Sequence, residues 1–142
     1  MKTWHVFYNT DREIMWCSDA GVTASIISQQ QAQNLRYLEV SVNGMLDASL
    51  YYINEAEDNV VGKTAFEPSI PTLEPVLGTP LSITNIPIGT KVYMDDELKT
   101  TMTDTTLNLT FNDPGQFLVL FKRTENIDYA FTLTTARESW QI

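Results

Sequence analysis

The stretch SITNIPIGTKVYMDDELKTTMTDTTLNLTF, residues 82–111, places three acids, Asp95, Asp96 and Glu97, between two runs with strand character. Either those carboxylates hold a metal or move a proton, or they turn the chain. A calcium loop needs oxygens at about five spaced positions, a glycine and a distal glutamate, and this spacing is absent. A general acid–base pair needs a second carboxylate inside a pocket, whereas a hairpin tip is exposed. Aspartate suits a reversal because its side chain bonds nearby backbone amides and tolerates left-handed geometry. The acids are therefore read as a turn, with KVYM entering and LKTTM leaving.

Working outward, TLNLTF at 106–111 alternates Leu107, Leu109 and Phe111 against Asn108 and Thr110, the pattern of a half-buried antiparallel strand. LSITNIP precedes the hairpin, and GQFLVLFKR and YAFTLTTA follow it. Short strands at spacings of about ten residues with turn residues between them read as a β-sandwich.

The N-terminal part is also β. In TWHVFYNTDREIMWCS, Trp4, Val6 and Tyr8 alternate with His5 and Phe7, residues 9–13 carry turn chemistry, and Ile14, Met15 and Trp16 return. LRYLEVSVN alternates as a strand, and residues 50–61 repeat the hairpin form. GVTASIISQQQAQNL fits a short helix or a loop, and its pattern does not choose between them. Four of the six prolines, Pro68, Pro71, Pro75 and Pro80, then fall in one stretch, which reads as a semi-rigid connector. The expected organisation is all-β: an antiparallel hairpin unit over 1–66, a proline-rich linker over 67–80 and a small Ig-like or prealbumin-like β-sandwich over 81–142.

Apolar residues at 43% and charged residues at 19% supply a core and too little charge for a disordered chain. A net charge of −9, with scattered bases, opposes phosphate backbones and anionic lipid, so nucleic acid and membrane surfaces are rejected as partners. No stretch approaches the roughly 20 apolar residues of a spanning helix. The start MKTWHVFYNTDRE has no apolar run fit for a signal peptide, so synthesis in a cytoplasm without an export address is expected.

Other candidates read as structural. Cys17 is the single cysteine, which excludes an internal disulfide, and it reads as an ordinary half-buried thiol. VVGKT at 60–64 echoes the end of a phosphate-binding loop, but the required upstream glycine falls on Glu57. His5, the only histidine, lies in a strand pattern without a nucleophile motif. NLT at 108–110 matches a glycosylation acceptor, irrelevant without a signal peptide. Trp4, Phe7, Tyr8, Trp16, Tyr51 and Tyr52 either stack sugars on an exposed face or fill a small core as cross-strand pairs. No catalytic, cofactor-binding or metal-ligating residue is nominated.

The segment around Pro87, Gly89, Val92, Tyr93, Asp95, Pro114, Gly115 and Val119 resembles the prealbumin-like sandwich called the PEGA domain. It departs at Glu97 and Leu98, where that family is rich in glycine, and it lacks the family's Gly-Tyr after the penultimate strand. The chain as a whole resembles small structural proteins of tailed bacteriophages. Trp4, Val6, Tyr8, residues 37–40, residues 51–53, the proline stretch and the sandwich carry that resemblance. It implies a non-enzymatic virion protein without cofactors, at the tail, baseplate, fibre attachment or capsid surface, with other virion proteins as partners in a symmetric multi-copy assembly. The rival is a carbohydrate- or host-surface-binding module. An exposed plane of Trp4, Trp16 and Tyr52 would favour the rival, and their burial the structural role. Trp140, Gln141 and Ile142 read as a docking strand or as a frayed terminus.

Overall fold

The computed structural model describes residues 1–135. The chain divides into two compact units, one ending at Thr64 and one beginning at Ala65. The C-terminal Trp140, Gln141 and Ile142 lie outside the described residues.

The first unit contains β1 (Lys2–Tyr8), β2 (Ile14–Ser18), α1 (Ala24–Ala32), β3 (Arg36–Val42), a short 3-10 turn (Ala48–Leu50), β4 (Tyr51–Ile53) and β5 (Val60–Gly62). β1 lies between β2 and β3 in an antiparallel sheet, and β4 and β5 form a hairpin. The first reversal is built by Asn9, whose Oδ1 accepts from the backbone N–H of Asp11 and of Glu13, each at 2.9 Å. Trp4, Val6 and Tyr8 of β1 share a core with Ile14, Val40, Leu46 and Ile53. The glutamine-rich segment is a helix, capped by Thr23 Oγ1 accepting from the Ile26 N–H at 3.2 Å. None of its side chains is buried, which is why it shows no apolar stripe in sequence.

The second unit contains β6 (Leu81–Ile83), β7 (Lys91–Met94), β8 (Glu97–Thr101), β9 (Leu107–Leu109), β10 (Gly115–Lys122) and β11 (Tyr129–Thr135). The larger antiparallel sheet has the order β11-β10-β7-β8, and β6 pairs with β9 in the smaller one. One core joins the two sheets: Leu81, Ile83 and Leu107 from the smaller, and Val92, Val119, Phe121 and Leu133 from the larger. Phe66, Ile86, Met102 and Phe111 fill it from the connections. The all-β reading therefore holds, with one short helix in the first unit.

The proline-rich stretch does more than space two units. The division falls at Thr64 and Ala65, so residues 67–80 lie inside the second unit. Phe66 is buried in its core, and Ile70 and Leu77 pack against it. Ser69 exchanges backbone bonds with Thr84 at 2.9 and 3.1 Å, and the Gly78 N–H donates to the Phe111 carbonyl at 2.8 Å. Leu73 offers its carbonyl to the N–H of Thr134 on β11 at 2.9 Å. Proline holds such a segment extended, and the residues between the prolines still pack and pair.

Phe121 is fully buried on the inner side of β10, while Gln116 on the same strand is exposed. Phe121→Ala should cost about 3–5 kcal/mol in denaturant unfolding, and Gln116→Ala no more than about 0.5 kcal/mol. Similar costs for the two would contradict the placement of the core.

Candidate functional site

The three acids of the second unit form the tip of the β7–β8 hairpin. Met94 pairs with Glu97, leaving Asp95 and Asp96 as the two central residues, at φ 50° and 67°. Positive φ at both centres is the type I′ geometry, whose twist matches that of the flanking strands. Asp95 also ties the tip to the neighbouring strand. Its backbone N–H donates to the Leu118 carbonyl at 2.9 Å, and its Oδ1 accepts from the Leu118 N–H at 3.0 Å. The Glu97 carboxylate lies 3.2 Å from the Lys99 ammonium. This is turn and clamp chemistry, with each carboxylate on the surface.

In the first unit, one register row crosses the three-stranded sheet as Ser18, His5 and Glu39. Sequence reasoning missed this row, because residues 5, 18 and 39 meet only through strand pairing. Their hydrogen bonds do not form a nucleophilic relay. His5 Nδ1 makes a short hydrogen bond with the Tyr37 hydroxyl, which donates to Glu39 Oε1 at 3.1 Å. Ser18 Oγ is turned to the backbone of Ala20, accepting from its N–H at 3.1 Å. Burial, followed by the Glu39 carboxylate, raises the Tyr37 hydroxyl above its ordinary range and keeps it protonated as a donor.

The aromatic residues divide between the two faces of that sheet. Trp4 and Tyr8 belong to the core, whereas Phe7 stacks on Trp16 at 4.2 Å on the opposite side and touches Tyr37 at 5.2 Å. Trp16 Nε1 donates to Gln30 of α1 at 3.0 Å, which fixes the indole beside the helix. Tyr52 lies beneath the Arg12 guanidinium at 5.9 Å. Trp4, Trp16 and Tyr52 thus form no common exposed plane.

The remaining candidates are structural. Val60–Gly62 is β5, antiparallel to β4, rather than a phosphate-binding loop. Glu57 occupies the turn before it at φ 56° and pairs with Arg36 of β3. That guanidinium, with help from the Tyr8 hydroxyl, holds the Glu57 carboxyl below the ordinary range. Cys17 is half-buried with Sγ 3.7 Å from the Leu46 carbonyl, and burial, then Asp47 and Asp19, push its thiol up, away from the reactive thiolate. Asn108 accepts from the Ser82 hydroxyl at 2.6 Å across β6 and β9. Among the described residues, no group of three or more His, Cys, Asp or Glu side chains could hold a metal ion, and no helix is long and apolar enough to cross a membrane.

The feature that asks for a function is the outer face of the larger sheet. Val92 and Met94 of β7, Val119 and Phe121 of β10, and Phe131 and Leu133 of β11 belong to the core side. Alternation puts Tyr93, Leu118, Leu120 and Ala130 on the other side. Register aligns them: Leu98 faces Tyr93, Tyr93 faces Leu120, and Leu120 faces Ala130. An apolar row therefore crosses all four strands. Leu98 at the edge of the row remains 49% exposed, Tyr93 and Leu120 are half-buried, and Leu118 beside the row is 43% exposed, so this face is not covered within its own sheet. On one flank of the row, along the strands, Lys91 pairs in register with Lys122, and beyond the other flank stand Asp95 and Asp96. The legible signal is the unbroken run FLVLF at 117–121, since a strand with one solvated face would alternate.

Compared with known protein families, curated proteins and solved structures, the chain matches none of them.

The turn reading makes a specific demand on the acids. Asp95→Ala should lower stability by about 1–2 kcal/mol, because the Leu118 N–H loses its acceptor. Asp96→Gly should be neutral or stabilising, because glycine accepts positive φ without steric cost. Thermal unfolding of both variants checks this, and equal destabilisation by the two would contradict it.

Proposed function

We propose that this chain is a non-enzymatic structural protein of a tailed-bacteriophage virion, a connector or accessory piece of the tail, baseplate or fibre attachment, with capsid decoration as the nearest variant. The observation that carries the reading is the apolar row Leu98, Tyr93, Leu120 and Ala130 on the outer face of the larger sheet. Antiparallel sheets with one solvated face normally alternate apolar-in and polar-out, and a contiguous apolar outer patch marks an interaction surface. The resemblance of Trp4, Val6, Tyr8 and the later motifs to small phage structural proteins supplies the kind of assembly. The partners are other virion proteins, and the net charge of −9 directs the surface away from nucleic acid and anionic lipid. The carbohydrate reading loses its footing, since Trp4 is buried in the core and is not coplanar with Trp16 and Tyr52 on one exposed face.

The test is co-sedimentation of the purified chain with virions and isolated tails from its source. Binding at a fixed, saturable stoichiometry, lost in Leu118→Asp with the circular dichroism unchanged, is expected. Failure to bind any particle, together with retention on an immobilised glycan surface, would overturn the reading in favour of a carbohydrate-binding module.

A further inference from the structure

The outer face of the larger sheet is arranged to meet itself, and we infer that it docks a second copy of this chain about a two-fold axis. The inference rests on the reading of that face as a contact surface, and it names the occupant.

The charge order along the strands decides the geometry. On β7 the outward positions run Lys91, Tyr93, and then Asp95 just past the strand end. Tyr93 is the midpoint, with a cation two residues before it and an anion two residues after it. β10 runs antiparallel beside it with Leu118, Leu120 and Lys122 outward, so Lys122 joins Lys91 at the basic end. Leu118 lies at the acidic end, where Asp95 grips its backbone. The face is a polar-ended patch with an apolar middle.

Two such faces can stack about either of two in-plane axes. An axis along the strands places the basic end of one copy on the basic end of the other, with Lys91 and Lys122 against themselves. An axis along the row Leu98, Tyr93, Leu120, Ala130 reverses every strand on its own copy. Tyr93 then meets Tyr93, Leu120 meets Leu120, and each Lys91 faces the Asp95–Asp96 tip of the partner. Like charges placed opposite each other are destabilising, so the second axis is selected. The same patch serves both copies, as an isologous interface requires, and sheets stack face to face about 10 Å apart with strands within roughly 30°.

Local pairs set the strength. Lys122 already lies 3.7 Å from Asp128, and Glu97 is taken up by Lys99. The contact between copies therefore rests on Lys91 with Asp96 and on the apolar row. Three strand spacings of about 4.8 Å make a row only about 14 Å long. Such a small face belongs to the weak class of interface. Added salt weakens it, since the end contacts are solvent-exposed charges.

The experiment is sedimentation velocity of the full chain over a concentration series. A reversible monomer–dimer equilibrium is expected, loosened in high salt. Lys91→Glu and Asp96→Lys, each folded by circular dichroism, should each weaken the dimer about tenfold or more. An equimolar mixture of the two variants should recover dimer. The carboxylate introduced at position 91 of one copy then meets the ammonium introduced at position 96 of the other, while the native Lys91–Asp96 contact forms at the opposite end. Should Asp96→Lys fail to fold, Lys91→Glu with Leu98→Asp carries the same decision, since both must lower dimer content. A chain that stays monomeric to millimolar concentration, or a dimer indifferent to Lys91→Glu and Leu98→Asp, would overturn the inference. A monomer that still joins particles would overturn this inference alone, and a dimer that joins no particle would overturn only the virion reading.

Discussion

The reversal at Asp95 and Asp96 is the constraint on which the second unit depends. With both residues in left-handed conformations, the turn has two central positions and Met94 is forced opposite Glu97. From that pair the register of β7 against β8 follows, and through the Asp95–Leu118 clamp so does the register of β7 against β10. Side chains alternate with a period of two, so a slip by one residue would send Val92 and Met94 outward and Tyr93 and Lys91 into the core. A buried Lys91 would face a desolvation penalty, which penalises the slipped register strongly. The most catalytic-looking acids of the sequence are the ones that decide which face of the sheet is which.

Register explains why the outer face has its composition. Lys99 is the extra residue on β8, since Tyr93 pairs with Leu98 and Val92 with Thr100. The turn has already set Leu98 beside Tyr93, which completes the apolar row at the edge strand, and the bulge shifts only the pairs beyond it. Lys99 also places a charge on that edge, a common means of discouraging indiscriminate strand pairing. The larger sheet thus has an edge guarded by charge and a face left apolar. That combination opposes extension of the sheet at β8 and is the basis on which the face is proposed as the contact surface.

How much is legible in the sequence differs by element. β9 is readable because Leu107 and Leu109 alternate with Asn108, and the β7–β8 hairpin because aspartates sit between two apolar runs. α1 is ambiguous because a helix that buries no side chain has no need of an apolar stripe. The proline-rich segment reads as a spacer because proline reports backbone conformation, whereas its packing depends on Phe66, Ile70 and Leu77 finding a core formed by later residues. The row Ser18, His5, Glu39 is hidden because it exists only through pairing of three separate strands. The apolar outer row is half-visible: the run 117–121 announces two apolar faces, but its alignment with Tyr93 and Leu98 exists only through the pairing of β10 with the distant strand β7.

The central claim is that this turn sets the register, and solution NMR of the tip tests it most directly. The account predicts cross-strand contacts between the backbones of Met94 and Glu97 and of Tyr93 and Leu98, with a Leu118 amide that exchanges slowly although its side chain is exposed. Backbone contacts of Tyr93 with Lys99 instead, or rapid exchange of the Leu118 amide, would mean a different register and would contradict the assignment of both faces of the sheet.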